Sequence, residues 1–384
     1  VFAIRNVELI EVSNDFIYYA EEKREEGHNN LFLLEYNRVS RRERIVANYS
    51  LDDPTFVQHI FSFGDSIILL LENGNSDVWV FRIDKNTGQE TACTQINCIG
   101  SFAGCKALDK RHILVYTVES GEFSALFREY RKITGCTKIA YLYDLNENKK
   151  YFVKNPLLCQ MAEENLLCYQ SPEGRQVVLL QPYGDEAFKE KCYREARWIN
   201  GEIRDNVWLC PLKGMIASIQ EGREELALKP VITAGTNGLA RYIGMDNRNL
   251  YFRAKHFPSG MERLCAYHKQ EGGIQVLADL EPVDGIDRYY YIDYQEAKLY
   301  LLEEKEDTRR VKGILNSAVD AEYEKKLGDF VGCIEDRFVI TRKVINKEDG
   351  TYDFEYNSIF DSKQGTEESF ECKCAIRGNT LVIY

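Results

Sequence analysis

The chain of 384 residues carries 49 Lys and Arg against 61 Asp and Glu, a formal net charge of -12. That balance argues against nucleic acid as a partner, because its binders carry a basic footprint, and 44% hydrophobic with 29% charged residues argues against a disordered chain. The longest apolar run, Ile67 to Leu71, is far short of the roughly 20 residues that a membrane-spanning helix needs.

In chain order, Val1 to Tyr49 reads as a four-stranded unit, with strands at Glu8–Val12, Phe16–Ala20, Leu31–Leu34 and Arg44–Ala47. Thr55 to Ile96 is the second unit, and its Asp84-Lys85-Asn86-Thr87-Gly88 is an outer hairpin turn. Ser101 to Asn155 is the third. Between its second and third strands lies Gly121 to Cys136, where Phe123, Leu126, Phe127 and Tyr130 fall at helical spacing. Residues 157–237 are the least regular and read either as two thin units or as one unit with an insertion. There Asp185 to Trp198 reads as a short helix or a ragged outer strand, and Val207–Leu209, Met215–Ile219 and Leu226–Leu228 read as strands of a fifth unit. Leu239 to Leu280 is the sixth and clearest unit, Tyr289–Ile292 and Lys298–Leu302 belong to the seventh, and Phe330 to Cys372 is the eighth. Residues 373–384 add half a unit, Ala375–Arg377 with Thr380–Tyr384.

One device recurs through these units. A polar turn precedes an apolar strand, as in Asp246-Asn247-Arg248-Asn249-Leu250-Tyr251-Phe252. Asp, Asn and Gly bond their own backbone and tolerate left-handed angles, so they make tight turns. The β-branched and aromatic residues that follow suit a pleated, buried surface. The copies at Asp15, Asp65, Lys110, Asn165, Asn206, Arg248, Ala297, Arg337 and Asn379 are spaced by about 40 to 55 residues, the period of four-stranded propeller blades. The turn at Asp84–Gly88 resembles the Asp-x-x-Thr-Gly turns of quinoprotein-like and related propellers, a resemblance that implies the fold and no cofactor. The expected architecture is therefore an all-β propeller of four-stranded antiparallel blades. Eight blades are expected, with seven as the alternative, in a single domain over 1–384 whose hairpin at 373–384 pairs with the N-terminal strand to hide sheet edges.

Chemistry is harder to find. The five histidines, His28, His59, His112, His256 and His268, form no i, i+4 pair, so no helical zinc site, catalytic residue or cofactor motif is expected. His112, at the head of a strand, reads as a structural histidine. Asp144–Asn148 begins like a calcium loop, but Lys149 stands where Gly is required, so it reads as a turn. The 12 cysteines include no Cys-x-x-Cys pair. They read as free thiols, which lean towards a cytoplasmic setting with a cell surface as the alternative.

Two aromatic groups are candidate binding residues. Phe123, Phe127 and Tyr130 lie in the inserted segment, and Tyr289, Tyr290 and Tyr291 lie in one strand, where Tyr289 and Tyr291 share a face and Tyr290 takes the other. The long segments Glu21–Asn29, Gly121–Cys136, Glu303–Thr308 and Lys343–Tyr352 would project from one face. The functional expectation is a non-catalytic propeller that binds a protein or peptide there. The alternatives are a propeller that binds or cleaves carbohydrate, so that the partner is a glycan, or the sensor domain of a larger surface protein.

Overall fold

The computed structural model describes residues 2–383 apart from 4–6, 13–14, 26–27, 52–54, 74–76, 161–165, 172, 182–205, 233–237, 247, 257–260, 294–296, 347–351, 372–373 and 378–379. The expected helix or strand at Asp185–Trp198 lies outside the described residues. The fold is an all-β propeller of four-stranded antiparallel sheets. After a short first strand, Phe2–Ala3 (β1), the first sheet is Val7–Val12 (β2), Phe16–Glu25 (β3), His28–Asn37 (β4) and Arg42–Leu51 (β5). The second is Thr55–Phe63 (β6), Ser66–Asn73 (β7), Asp77–Asp84 (β8) and Glu90–Asn97 (β9). The third is Ser101–Ala107 (β10), His112–Val118 (β11), Ile139–Asp144 (β12) and Lys149–Phe152 (β13). The fourth is Leu166–Ser171 (β14), Gly174–Gln181 (β15), Asn206–Pro211 (β16) and Lys229–Ile232 (β17). The fifth is Gly238–Met245 (β18), Asn249–His256 (β19), Glu262–His268 (β20) and Ile274–Leu280 (β21). The sixth is Asp287–Asp293 (β22), Lys298–Glu304 (β23), Thr308–Leu315 (β24) and Asp320–Glu324 (β25). The seventh is Asp329–Ile334 (β26), Phe338–Asn346 (β27), Tyr352–Asp361 (β28) and Thr366–Phe370 (β29). Cys374–Arg377 (β30) and Thr380–Ile383 (β31) form a hairpin, and β1 pairs with β31 in parallel.

Each four-stranded sheet is a meander, and its turns show why. Asp246 accepts backbone N–H bonds from Arg248 and Asn249 at 2.6 and 2.7 Å, and the Tyr251 hydroxyl donates to its other oxygen at 2.5 Å. Asp109 does the same for Arg111 and His112, and the His112 ring sits 3.0 Å from it, which accounts for that histidine. At outer turns Asp84, Asp144 and Asp361 each accept two backbone N–H bonds from the residues that follow. At two of these turns an arginine from the inner turn of the same sheet then clamps the aspartate. Arg111 grips Asp144, and Arg337 grips Asp361 through both carboxylate oxygens. Asp144–Asn148, read as a turn from its sequence, is a hairpin turn held by a guanidinium.

The first strand of five sheets carries a register shift, at Leu9/Glu11, Val57/His59, Phe102/Gly104, Tyr242/Gly244 and Phe330/Gly332. Such bulges bend a strand and raise its twist. Two of the glycines also let neighbouring first strands meet. A side chain at Gly244 would collide with Ile292 of β22, and one at Gly332 would come within 2.6 Å of Ile376 of β30.

Contacts divide the chain into two compact units, one of residues 6–181 with 208–230, the other of 1–5, 182–207 and 231–384. In the first, a core from Ile68 through Tyr141 to Ile219 runs through the second to fourth sheets, with a second core around Leu33 and Leu69. In the other, smaller clusters centre on Tyr251, Tyr300 and Ile340.

One strand expectation needs correction: Met215–Ile219 is part of a helix. Of the two readings of residues 157–237, the described residues follow the second, one four-stranded sheet. The inserted segment of the third sheet is helix Ser124–Thr134 (α1), followed later by Pro156–Gln160 (α2) and Leu212–Gln220 (α3). In α3, Leu212, Met215, Ile216 and Ile219 are buried at the i, i+3, i+4, i+7 spacing of one helix face. The loop-rich face also shrinks. Glu21–Asn29 is mostly strand, with Glu22 paired to Leu31 and Lys23 to Asn30 in a hairpin that simply continues β3 and β4. Among the described residues no helix is long and apolar enough to cross a membrane.

Candidate functional site

A cavity of about 570 Å³ lies between the sheets β18–β21 and β22–β25, within the range of roughly 300–1,000 Å³ of small-ligand sites. Tyr242 and Ile243 come from β18, Arg253 from β19 and Glu262 from the start of β20. Pro282, Val283 and Ile286 come from the connection to β22, and Asp287, Arg288, Tyr289 and Tyr290 from β22 itself.

Strand alternation sets which side chains meet. Arg288, Tyr290 and Ile292 share the face of β22 that looks at the neighbouring sheet. Ile292 packs over Gly244, and the Tyr290 hydroxyl donates to Glu262 at 3.1 Å. The Arg253 guanidinium lies 5.9 Å from the centre of the Tyr290 ring, at cation–π range. Its Nη1 donates to the Arg288 carbonyl at 3.3 Å and stands 3.8 Å from Glu262. Arg288 is more tightly held, with Nε 3.1 Å from Glu303 and a further bond to the Glu281 carbonyl. Burial, and then the Glu262 carboxylate, push the Tyr290 hydroxyl well above the usual phenol range. It is therefore a neutral hydrogen-bond donor at physiological pH. The arrangement can bind and orient a polar ligand against an apolar lip, since Val283 is exposed.

The six aromatics singled out in the sequence scatter. Tyr289 and Tyr290 line the cavity, and Tyr289 is half exposed. Tyr291 faces the other way and meets Phe330 edge-on at 5.2 Å, so it packs one sheet on the next. Phe127 and Tyr130 are buried in α1, and Phe123 packs partly buried against the same core. The Tyr130 hydroxyl bonds backbone groups of Ala140 and Val153. Phe127 and Tyr130 fasten α1 to its own sheet and present no ring to a partner. Sequence reasoning missed Arg253, Glu262 and Arg288. A charged residue in the middle of the apolar strand Asn249–His256 was the available signal for Arg253.

No protein-family description and no curated protein matches this chain. Solved structures do. A prolyl endopeptidase matches at 12% identity and a TM-score of 0.47, over 95% of this chain and 49% of its own. Porphyromonas gingivalis dipeptidyl peptidase 4 matches at 10% identity and 0.47, over 98% of this chain and 55% of its own. The propeller domain of the Trilobed protease from Pyrococcus furiosus matches at 10% and 0.42, over 95% and 98%. This chain thus spans about half the length of those two whole peptidases. At such identities the likeness concerns the fold. The expectation of a non-catalytic interaction propeller is corrected at this point: the solved structures that match include several peptidases and an oligogalacturonate lyase.

Proposed function

We propose that this chain is the substrate-recognition propeller of an enzyme, and that it holds the carboxylate-bearing end of a peptide in the cavity between β18–β21 and β22–β25. The observation that carries this reading is the Arg253 guanidinium. Its contacts with the Arg288 carbonyl and the Glu262 carboxylate both use Nη1, and among the described residues none hydrogen-bonds its Nε–Nη2 edge. Two parallel N–H donors on one planar edge match a carboxylate. The ring of Tyr290 flanks the cation, and Pro282, Val283 and Ile286 offer an apolar lip for the side chain next to that carboxylate.

Of the two partner classes expected from the sequence, the apolar lip favours a peptide over a glycan. Tyr289 and Tyr290 belong to this site, whereas Tyr291, Phe123, Phe127 and Tyr130 do not. The cavity groups bind and orient, and in this reading the reacting groups lie outside the cavity. The same reading takes residues 1–384 as one propeller domain.

Calorimetric titration with short apolar peptides tests it. A free-acid peptide is expected to bind about tenfold or more tightly than its amide, the size of one charge-assisted bond of roughly 1.5–3 kcal/mol. Arg253→Gln should abolish the difference. Equal binding of acid and amide, or binding of a uronate oligosaccharide in place of either, overturns the proposal.

A further inference from the structure

We propose that the outer turn of the first sheet, residues 37–42 between β4 and β5, docks on an anionic lipid surface. Val39 enters the acyl boundary, and the Arg41 and Arg42 guanidinium groups meet headgroup phosphates.

The turn is built on the same device as the other outer turns. The Asn37 side-chain oxygen accepts the backbone N–H groups of Val39 and Ser40 at 3.0 and 2.8 Å. Asp84, Asp144 and Asp361 do the same for the residues two and three positions on. The residue four positions on is left-handed in each case. It is Gly88, Asn148 or Gly365 in those three turns, and Gly272 in the fifth sheet, where His268 Nδ1 accepts the Glu271 N–H. Gly and Asn tolerate that conformation. In the first sheet the residue is Arg41, at φ 56°. A long side chain strains the backbone there and a glycine would not. Arg41 is exposed, so packing gives no return for the strain, and such strain persists where function requires it.

Charge and shape say what the turn meets. The chain carries a net charge of -12, yet Arg41 and Arg42 are adjacent and exposed, and neither has a hydrogen bond or ion pair with a described residue. The carboxylates nearest in the sequence are engaged elsewhere. Glu35 is held by Arg44 and the Tyr18 hydroxyl, and Glu43 receives the Tyr19 hydroxyl. In the third and seventh sheets the capping aspartate takes up an arginine. Here the cap is Asn37, which makes the same backbone bonds without a charge.

Val39 is 79% exposed, more than any other large apolar side chain among the described residues. It stands at the tip of the turn, between Arg38 and the Arg41–Arg42 pair. A protein partner encloses its anchor in a packed pocket. A lipid surface instead accepts a convex tip, with the apolar side chain at the acyl boundary and basic side chains among the phosphates. Each guanidinium can meet a phosphate through two parallel donors. The acidic remainder of the chain opposes this only weakly, because charges more than about 8 Å away are screened at physiological ionic strength.

The test is cosedimentation of the intact chain with vesicles of phosphatidylcholine alone and of phosphatidylcholine mixed with phosphatidylserine. Binding to the mixed vesicles only is expected, and it should weaken as salt is raised. Arg41→Gly combined with Arg42→Gln should lower the partition coefficient about thirtyfold, since each basic side chain near an anionic surface contributes roughly fivefold. Val39→Ser should weaken binding and leave its salt dependence unchanged. Arg41→Gly alone should raise the urea midpoint by removing the strain, so its weaker binding would not be a loss of fold. Equal binding to both kinds of vesicle, no binding to the mixed ones, or undiminished binding by the double variant overturns the proposal. So does a preference for a polyglutamate peptide, which would make the turn a docking site for an acidic protein.

Discussion

Phe127 separates two roles for the inserted helix. An aromatic on an inserted segment is a natural anchor for a partner, but Phe127 is only 2% exposed and belongs to the large core of its unit. Its ring also fills the space above Gly100 so closely that a Cβ there would stand 2.8 Å from Cζ. Phe127→Ala removes about 150 Å² of buried apolar surface, worth about 4 kcal/mol at roughly 25 cal/mol per Å². Alanine recovers about 0.5 kcal/mol through its higher helix propensity. The expected net loss is about 3 to 4 kcal/mol, within the range of about 3–5 kcal/mol for such truncations. In urea, at a slope of roughly 2–3 kcal/mol per molar, the midpoint of the unit of residues 6–181 and 208–230 should fall by about 1 to 2 M. Trp79 and Trp208 lie in that unit and serve as fluorescence reporters. A loss below about 1 kcal/mol with an unchanged slope would refute the argument, because it would mean that the ring is not packed as its burial says.

Two further predictions use the same reasoning. Gly100→Ala should destabilise the same unit strongly, since the residue sits at φ 89° and a methyl group would meet the Val118 carbonyl as well as the Phe127 ring. Adding Phe127→Ala should relieve only the second clash, which a double-mutant cycle in urea would read as incomplete rescue. Arg337 holds the Asp361 carboxyl down to about 2. A folded-state value depressed below the unfolded one (about 3.9) gives a stabilisation that is complete above pH 4 and is lost as pH falls from about 4 to 2. Asp361→Asn should therefore flatten the acid limb of the stability curve in that window and leave no pH dependence of its own above it. An acid limb identical to wild type would show that the clamp contributes nothing.

Much of the strand pattern was legible because two signals agree at several of the sheets. A short polar side chain caps the turn by accepting the next N–H groups, as Asp246 and Asp109 do, and the apolar residues after it fit a buried strand. Where both signals are ambiguous the reading slips. Met215–Ile219 follows Gly214, which passes for a turn residue although it lies inside a helix, and a short, mostly apolar run fits a strand or one face of a buried helix equally well. The decisive residue is Leu212, three positions earlier, which completes a helical stripe with Met215, Ile216 and Ile219. The charged stretch Glu21–Glu25 misled in the opposite sense. Charge suggested a loop, but a hairpin that projects into solvent can carry charges on both faces and still keep its ladder.

The cavity was less legible for a reason rooted in the fold. Its residues are contributed by β18, β19, β20, β22 and the connection between two sheets, each supplying from one to four side chains. Strand alternation in Tyr289–Tyr291 was readable, and it correctly sends Tyr290 to one neighbour and Tyr291 to the other. What Tyr290 meets was not readable. Glu262 is one of 61 acidic residues and Arg253 one of 49 basic ones, and nothing local distinguishes a carboxylate that receives a buried phenol from one in water. The distinction arises when the bulge at Tyr242/Gly244 lets Ile292 of β22 close over Gly244. That contact brings β22 against β18, and with it Tyr290 against Glu262 and the Arg288 carbonyl against Arg253. The glycine that lets these two strands pack therefore also positions the charged side chains of the site.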